Sequence, residues 1–118
     1  MEGSHPAQGW SALGGSGRLL ILYMHYVYII RSDKNGKLYK GSTCDLKTRL
    51  REHNSGVTQS TKAYAPWRLV YYAVFADKTD ALREELFLKS GKGRERVNFL
   101  LANTLVRCQN TKNIGGVA

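Results

Sequence analysis

The stretch Tyr26–Gly56, YVYIIRSDKNGKLYKGSTCDLKTRLREHNSG, constrains the fold most, because two strand signals and a capped helix follow one another with no room for anything else. Tyr26, Tyr28 and Ile30 alternate with Val27, Ile29 and Arg31, the period of a β-strand. Asn35-Gly36 is the dipeptide that most readily takes the positive φ angles of a tight turn, and Lys37–Ser42 can return as a partner strand. With Asn35 and Gly36 as the two central turn residues, Tyr39 stands opposite Ser32, on the face that carries Tyr28 and Ile30; a wider loop changes that offset. Both tyrosines then share one face of a hairpin.

Asp45 can accept from the free backbone N–H groups of a first helical turn, and no proline or glycine interrupts the segment before Gly56. A helix of about three turns is expected. On it Leu46 and Leu50 make a narrow apolar stripe, and Arg49 and His53, also four residues apart, make a separate polar one. A cation and a titratable imidazole are thus stacked beside a hairpin face bearing two phenols.

The rest of the chain reads more simply. Residues 1–23 are rich in Gly, Ser, Pro and Ala without periodicity and read as a flexible extension, with Met24 as a natural start; alternatively Leu19–Tyr23 lengthen the first strand. Val57–Ala65 is a polar loop whose hydroxyls and Lys62 suit phosphate contacts. Trp67–Phe75, rich in aromatic and β-branched residues, is a third strand, expected to pair antiparallel beside the hairpin. Asp77 or Thr79 can cap a helix from Asp80 to about Ser90, docked by Leu82 and Leu86 and ended by Gly91, with Glu85 at the border of the buried face. Lys92–Arg96 reads as a basic link, Val97–Val106 as a short third helix, and 107–118 as a tail. The expected architecture is α/β in the α+β sense: a three-stranded antiparallel sheet flanked by helices, in one domain over 24–106.

Lys and Arg number 18 against 9 Asp and Glu, and the 15 basic and 8 acidic residues of 24–97 put the excess in the motif-bearing part. A net charge of +9 favours a polyanionic partner, since each phosphate neutralised releases counterions. A hydrophobic share of 42% and 118 residues suit one globular domain with a modest core. No apolar run reaches the roughly 20 residues that span a bilayer, and a cytoplasmic location is expected. Cys44 and Cys108 lie far apart, outside any zinc-ligand spacing, and are expected as free thiols.

Val27–Ile29 (VYI), Tyr39–Gly41 (YKG) and the run TCDLKTRLREHNSG, followed by PWRLVYY (Pro66–Tyr72) and ALREELFLK (Ala81–Lys89), resemble the GIY-YIG nuclease superfamily, particularly its small single-domain bacterial members. The resemblance spans roughly Tyr26 to Arg96, and its specificity lies in four motifs in the right order. It departs at the first motif, which lacks a leading glycine, and at Lys40, where isoleucine or valine is common. The resemblance implies a metal-dependent endonuclease that hydrolyses phosphodiester bonds in DNA, with RNA as the other candidate substrate, structure-selective or nonspecific, in repair or recombination. Tyr28 would help deprotonate the attacking water, Tyr39 position water or phosphate, Arg49 stabilise the pentacovalent phosphate, and His53 bind phosphate or share the proton transfer. Glu85 would hold Mg²⁺ or Mn²⁺, hard ions content with one carboxylate, waters and phosphate oxygens. Asn98 matches an asparagine that some relatives carry near the site. Lys40, Lys47, Arg51, Lys62 and Lys89 are the candidate nucleic-acid contacts. Taken singly, each tyrosine reads as a core aromatic, Arg49 and His53 as solvated helix residues, and Glu85 and Lys89 as a surface pair. The alternative function is a non-catalytic nucleic-acid-binding module on the same basic face; sequence recognition by a dedicated module is not expected.

Overall fold

A computed structural model describes residues 24–117. The expected extension at 1–23, including the alternative of a longer first strand, lies outside the described residues. Strands β1 (His25–Ser32), β2 (Leu38–Thr43) and β3 (Trp67–Phe75) form one sheet in the order β2-β1-β3. Both pairings are antiparallel. Helix α1 (Leu46–Ser55) follows the hairpin, and α2 (Lys78–Lys89), α3 (Gly91–Leu100) and α4 (Ala102–Val117) follow β3. The expected three-stranded α+β architecture is what forms.

Because β1 is central, its alternating side chains are buried on both faces. Val27 and Ile29 pack with Ala81, Leu88, Val97 and Leu101 from the later helices. Tyr28 and Ile30 pack with Trp67, and Leu46 and Leu50 of α1 lie against them. The expected apolar stripe of α1 is therefore its docking face. Asp45 caps that helix as expected, accepting from the Thr48 N–H at 3.1 Å.

The hairpin loop is wider than a two-residue turn. Tyr39 pairs with Ile30, and Arg31 with Leu38, leaving Asp33–Gly36 as loop. Only Gly36 of the loop has a positive φ, 79°, whereas the tightest primed turn needs two such residues. The Ser32 hydroxyl instead organises the bend, accepting from the N–H groups of Lys34 at 3.0 Å and Asn35 at 3.1 Å. The offset changes by two residues on β1, which keeps every side chain on its expected face.

The later helices depart further from expectation. Leu82 and Leu86 do not dock α2: they are 42% and 69% exposed, whereas Ala81 and Leu88 are 1% and 0% exposed. Ala81, Glu85 and Leu88 form an i, i+4, i+7 stripe, so the small alanine lets the helix approach the sheet and carries Glu85 inward with it. The helix ends at Lys89, about where expected, but Ser90 rather than Gly91 caps it, and Gly91 opens a new helix. Ser90 is the C-cap of α2 and the N-cap of α3, its hydroxyl accepting from the Gly93 N–H at 3.1 Å. The expected basic link is consequently the first turn and a half of α3, and α4 runs through most of the expected tail.

Which leucines dock α2 is testable by substitution. Leu88→Ala is expected to cost about 2–5 kcal/mol, as a fully buried leucine does, and Leu86→Ala to stay within about 0.5 kcal/mol. Equilibrium denaturation of both variants reads this directly.

Candidate active site

Tyr28 sits mid-way along the central strand and points to the α1 side, where it is 1% exposed. It pairs with Gly41 across the β1–β2 ladder. A Cβ on Gly41 would lie 2.6 Å from the Tyr28 hydroxyl and 2.8 Å from its Cζ, so the phenol crosses β2 only because position 41 has no side chain. The glycine of the Tyr39–Gly41 motif is thus the opening through which Tyr28 reaches the far side of β2.

The Tyr28 hydroxyl lies 2.7 Å from Nε2 of His53, and Nδ1 of His53 lies 2.8 Å from the Thr61 hydroxyl. His53 and Thr61 are both 0% exposed. The Thr61 hydroxyl donates to the Thr58 carbonyl, so its oxygen accepts from Nδ1–H. That assigns the tautomer from the network: Nε2 keeps its lone pair, and Tyr28 donates to it. Burial, followed by the Arg49 charge, holds the His53 imidazole below its ordinary value of 6.5, which favours this neutral form. Trp67 braces the arrangement by donating from its indole nitrogen to the Thr61 carbonyl at 2.9 Å. Asn54 ties the end of α1 to β3, accepting from the Trp67 N–H at 2.5 Å and donating to its carbonyl at 3.0 Å.

Arg49 stands one turn before His53, half-exposed and paired with Glu52 at 2.8 Å. Its positive charge also favours the ionised form of Tyr28. Burial pushes the Tyr28 phenol up to about 12; Arg49 opposes that rise, and Tyr39 and Glu85 add to it. Glu85 on α2 is therefore within electrostatic reach of a tyrosine on the other face of the sheet. Tyr39 completes an aromatic cluster, its ring centroid 5.0 Å from His53 and 6.4 Å from Tyr28. The structure thus gathers all five expected residues, Tyr28, Tyr39, Arg49, His53 and Glu85, around the β2 edge.

The expected nucleic-acid contacts divide into groups. Lys47 and Arg51 are exposed on α1 and act together on the Asp45 carboxylate. Lys62 is exposed on the short 3₁₀ turn Lys62–Tyr64. Lys40 is half-buried on the α2 side, facing Arg94 and Lys89, and Lys89 bonds Glu85 at 2.8 Å. Asn98 is exposed on α3. Thr61 escaped sequence reading: the loop hydroxyls looked like phosphate contacts, and this one turns inward to His53 instead. Its only sequence signal is a hydroxyl residue in the loop before Trp67.

Among the described residues no three His, Cys, Asp or Glu side chains lie together, so the donors do not make a multi-ligand cage. Glu85 offers one hard carboxylate with 18% of its side chain exposed. That fits a cation such as Mg²⁺, which is commonly held by one or two carboxylates and keeps several waters.

Two measurements test this geometry. Gly41→Ala is expected to displace the Tyr28 ring and lower stability by about 1–3 kcal/mol, as overpacking does, read as a shift in denaturation midpoint. Because the folded state holds His53 below 6.5, the unfolded chain binds that proton more tightly. The stability from neutral His53 is complete above pH 6.5 and is lost progressively as pH falls below it. Denaturation between about pH 7.5 and 5.5 reads that slope, and His53→Gln is expected to remove its share.

Comparison with known proteins identifies the family. The GIY-YIG catalytic domain family matches residues 24–98. A UPF0213 protein of Staphylococcus saprophyticus is 34% identical over 77 residues, covering 64% of this chain and 93% of that protein. One from Streptococcus pneumoniae is 37% identical over 79 residues, covering 66% and 79%. The solution NMR structure of the UPF0213 protein BH0048 from Bacillus halodurans is 36% identical, covers 65% of this chain and 84% of that one, and superposes with a TM-score of 0.43. With its two tyrosine motifs, its Arg49–His53 helix and its Glu85 helix in that order, the chain belongs to the GIY-YIG family, alongside the small bacterial UPF0213 proteins.

Proposed function

We propose that this protein is a metal-dependent endonuclease that hydrolyses DNA phosphodiester bonds, structure-selectively or without sequence preference, in repair or recombination in the cytoplasm. The family points to nuclease activity in general. The observation that supports the finer reading is the hydrogen-bonded series Tyr28–His53–Thr61 opening towards Arg49 and Glu85.

A phenol held near 12 is a weak base when it must first be ionised. The His53 lone pair removes that need. As the attacking water gives a proton to the Tyr28 oxygen, the phenolic proton passes to Nε2 of His53, and no free phenolate has to form. The new P–O bond forms as the bond to the leaving oxygen breaks, and that oxygen takes its proton from solvent. Imidazolium charge then sits on a ring whose Nδ1–H is held by Thr61. Arg49, tethered by Glu52, faces the charge that grows on the non-bridging oxygens. Tyr39, with its ring edge against His53, keeps its hydroxyl available to orient water or phosphate. Glu85 would hold Mg²⁺ or Mn²⁺, which supplies charge stabilisation at the phosphate. Lys89 occupies that carboxylate otherwise.

Cleavage of labelled single-stranded, duplex and branched DNA with Mg²⁺ or Mn²⁺ tests the reading. Tyr28→Phe and His53→Ala are each expected to lower the rate by about 10²–10⁴, the usual weight of general acid–base catalysis. Glu85→Gln and chelation are expected to abolish it. Cutting that survives all three substitutions would discard these roles, and salt-sensitive binding without cutting would leave a binding module.

A further inference from the structure

Strand β2 is the edge of the sheet, and its successive residues Tyr39 and Lys40 point to opposite faces. Tyr39 faces Tyr28 and His53. Lys40 pairs with Ile29, whose side chain belongs to the core covered by α2 and α3. A lysine on the core side of a sheet is unusual, and this one is half-buried. Two further cations lie within electrostatic reach of it on two different helices: Lys89, next to the buried Leu88 on α2, and Arg94, one turn into α3 across the Ser90 corner. Burial, and after it the charges of Arg94 and Lys89, hold the Lys40 ammonium below its ordinary value. Lys89 is paired with Glu85. Neither Lys40 nor Arg94 makes an ion pair among the described residues.

We propose that Lys40, Arg94 and Lys89 form a second phosphate site, which holds the backbone phosphate beside the one being cut. This rests on the nuclease reading and adds the path of the substrate: a strand crosses the β2 edge at Tyr39–Lys40. On one side of the edge it meets Tyr39 and Arg49, and on the other Lys40 and Arg94, the side that also carries Glu85. Three cations brought together from three elements repel one another, and an anion shared among them relieves that repulsion. Glu85, were it to hold a cation, would release Lys89 to the same phosphate, and filling the carboxylate would then strengthen the second site. A bland role for Lys40, blocking sheet-edge pairing by a charged side chain, needs neither Arg94 nor Lys89 beside it.

The test is binding of a labelled DNA duplex to the full chain in chelator, where no cutting occurs, as a function of salt. Each lost phosphate contact flattens the slope of log affinity against log salt by about 0.9 on duplex DNA. The site holds one phosphate, so Arg94→Gln, alone or together with Lys40→Gln, is expected to flatten the slope by up to about one contact, with at least a tenfold loss of affinity at low salt in the double variant. Lys78→Gln, at the opposite end of α2, serves as the control and is expected to leave the slope as it was. In cleavage assays the Arg94 variant is expected to raise KM and keep kcat, the reverse of Tyr28→Phe. Arg94 is exposed on a helix, so its variant carries the test even where Lys40→Gln fails to fold. An unchanged slope in the Arg94 variant, or new self-association as the only effect at Lys40, would overturn the second site while leaving cleavage untouched. A flattened slope in a protein that never cuts would keep the phosphate site and reject the nuclease.

Discussion

A fully buried imidazole must find partners for both of its ring nitrogens, and the cost of leaving either unmet is about 1–3 kcal/mol. His53 meets that demand with Tyr28 from the central strand and Thr61 from the loop before β3. These two bonds tie three otherwise separate pieces together. They set the rotation of α1 on the sheet, draw the 57–65 loop inward, and hold Tyr28 pointing across Gly41. The same contacts hold the imidazole neutral and give it a definite tautomer. Packing and chemistry here depend on one set of bonds.

The other half of the site has looser control. Glu85 is carried on α2, whose approach to the sheet is set by the alanine and leucine on either side of it in the buried stripe. Its nearest charge is Lys89 on its own helix, an i, i+4 pair of the kind worth a few tenths of a kcal/mol. So weak a pair is readily exchanged. The Tyr28–His53 face is therefore built of buried, oriented hydrogen bonds, and the Glu85 face is built of half-exposed, exchangeable charge. That division suits the proposed reaction, which needs a precise proton path and a substrate that enters and leaves.

Much of this was legible before the fold was known. The alternation around Tyr28, the Asp45 cap and the Arg49–His53 spacing are local, and each survives in the structure. What misled was equally specific. Leu82 and Leu86 are more apolar than Ala81, yet α2 docks by Ala81 because a small residue allows the closer approach that buries Leu88. Gly91 resembles a helix stop, but the Ser90 hydroxyl caps a new helix there instead. Asn35-Gly36 resembles a two-residue turn, and the Ser32 hydroxyl organises a four-residue loop in its place. In the first case close packing outweighed the commonest local preference, and in the other two a serine hydroxyl's hydrogen bonds did.

The sequence by itself determined the elements, their order and which residues share a strand or helix face, because these follow from backbone sterics and hydrogen bonds within a few positions. Tertiary structure alone decided that His53 would be buried and neutral, that Thr61 would be its partner, that Glu85 would come within electrostatic reach of Tyr28, and that Arg94 would come within electrostatic reach of Lys40. Those outcomes depend on which faces of separate elements come to lie together. Burial and the loss of water then set the charge and hydrogen-bond state of each group, and neither is written in any short stretch of chain.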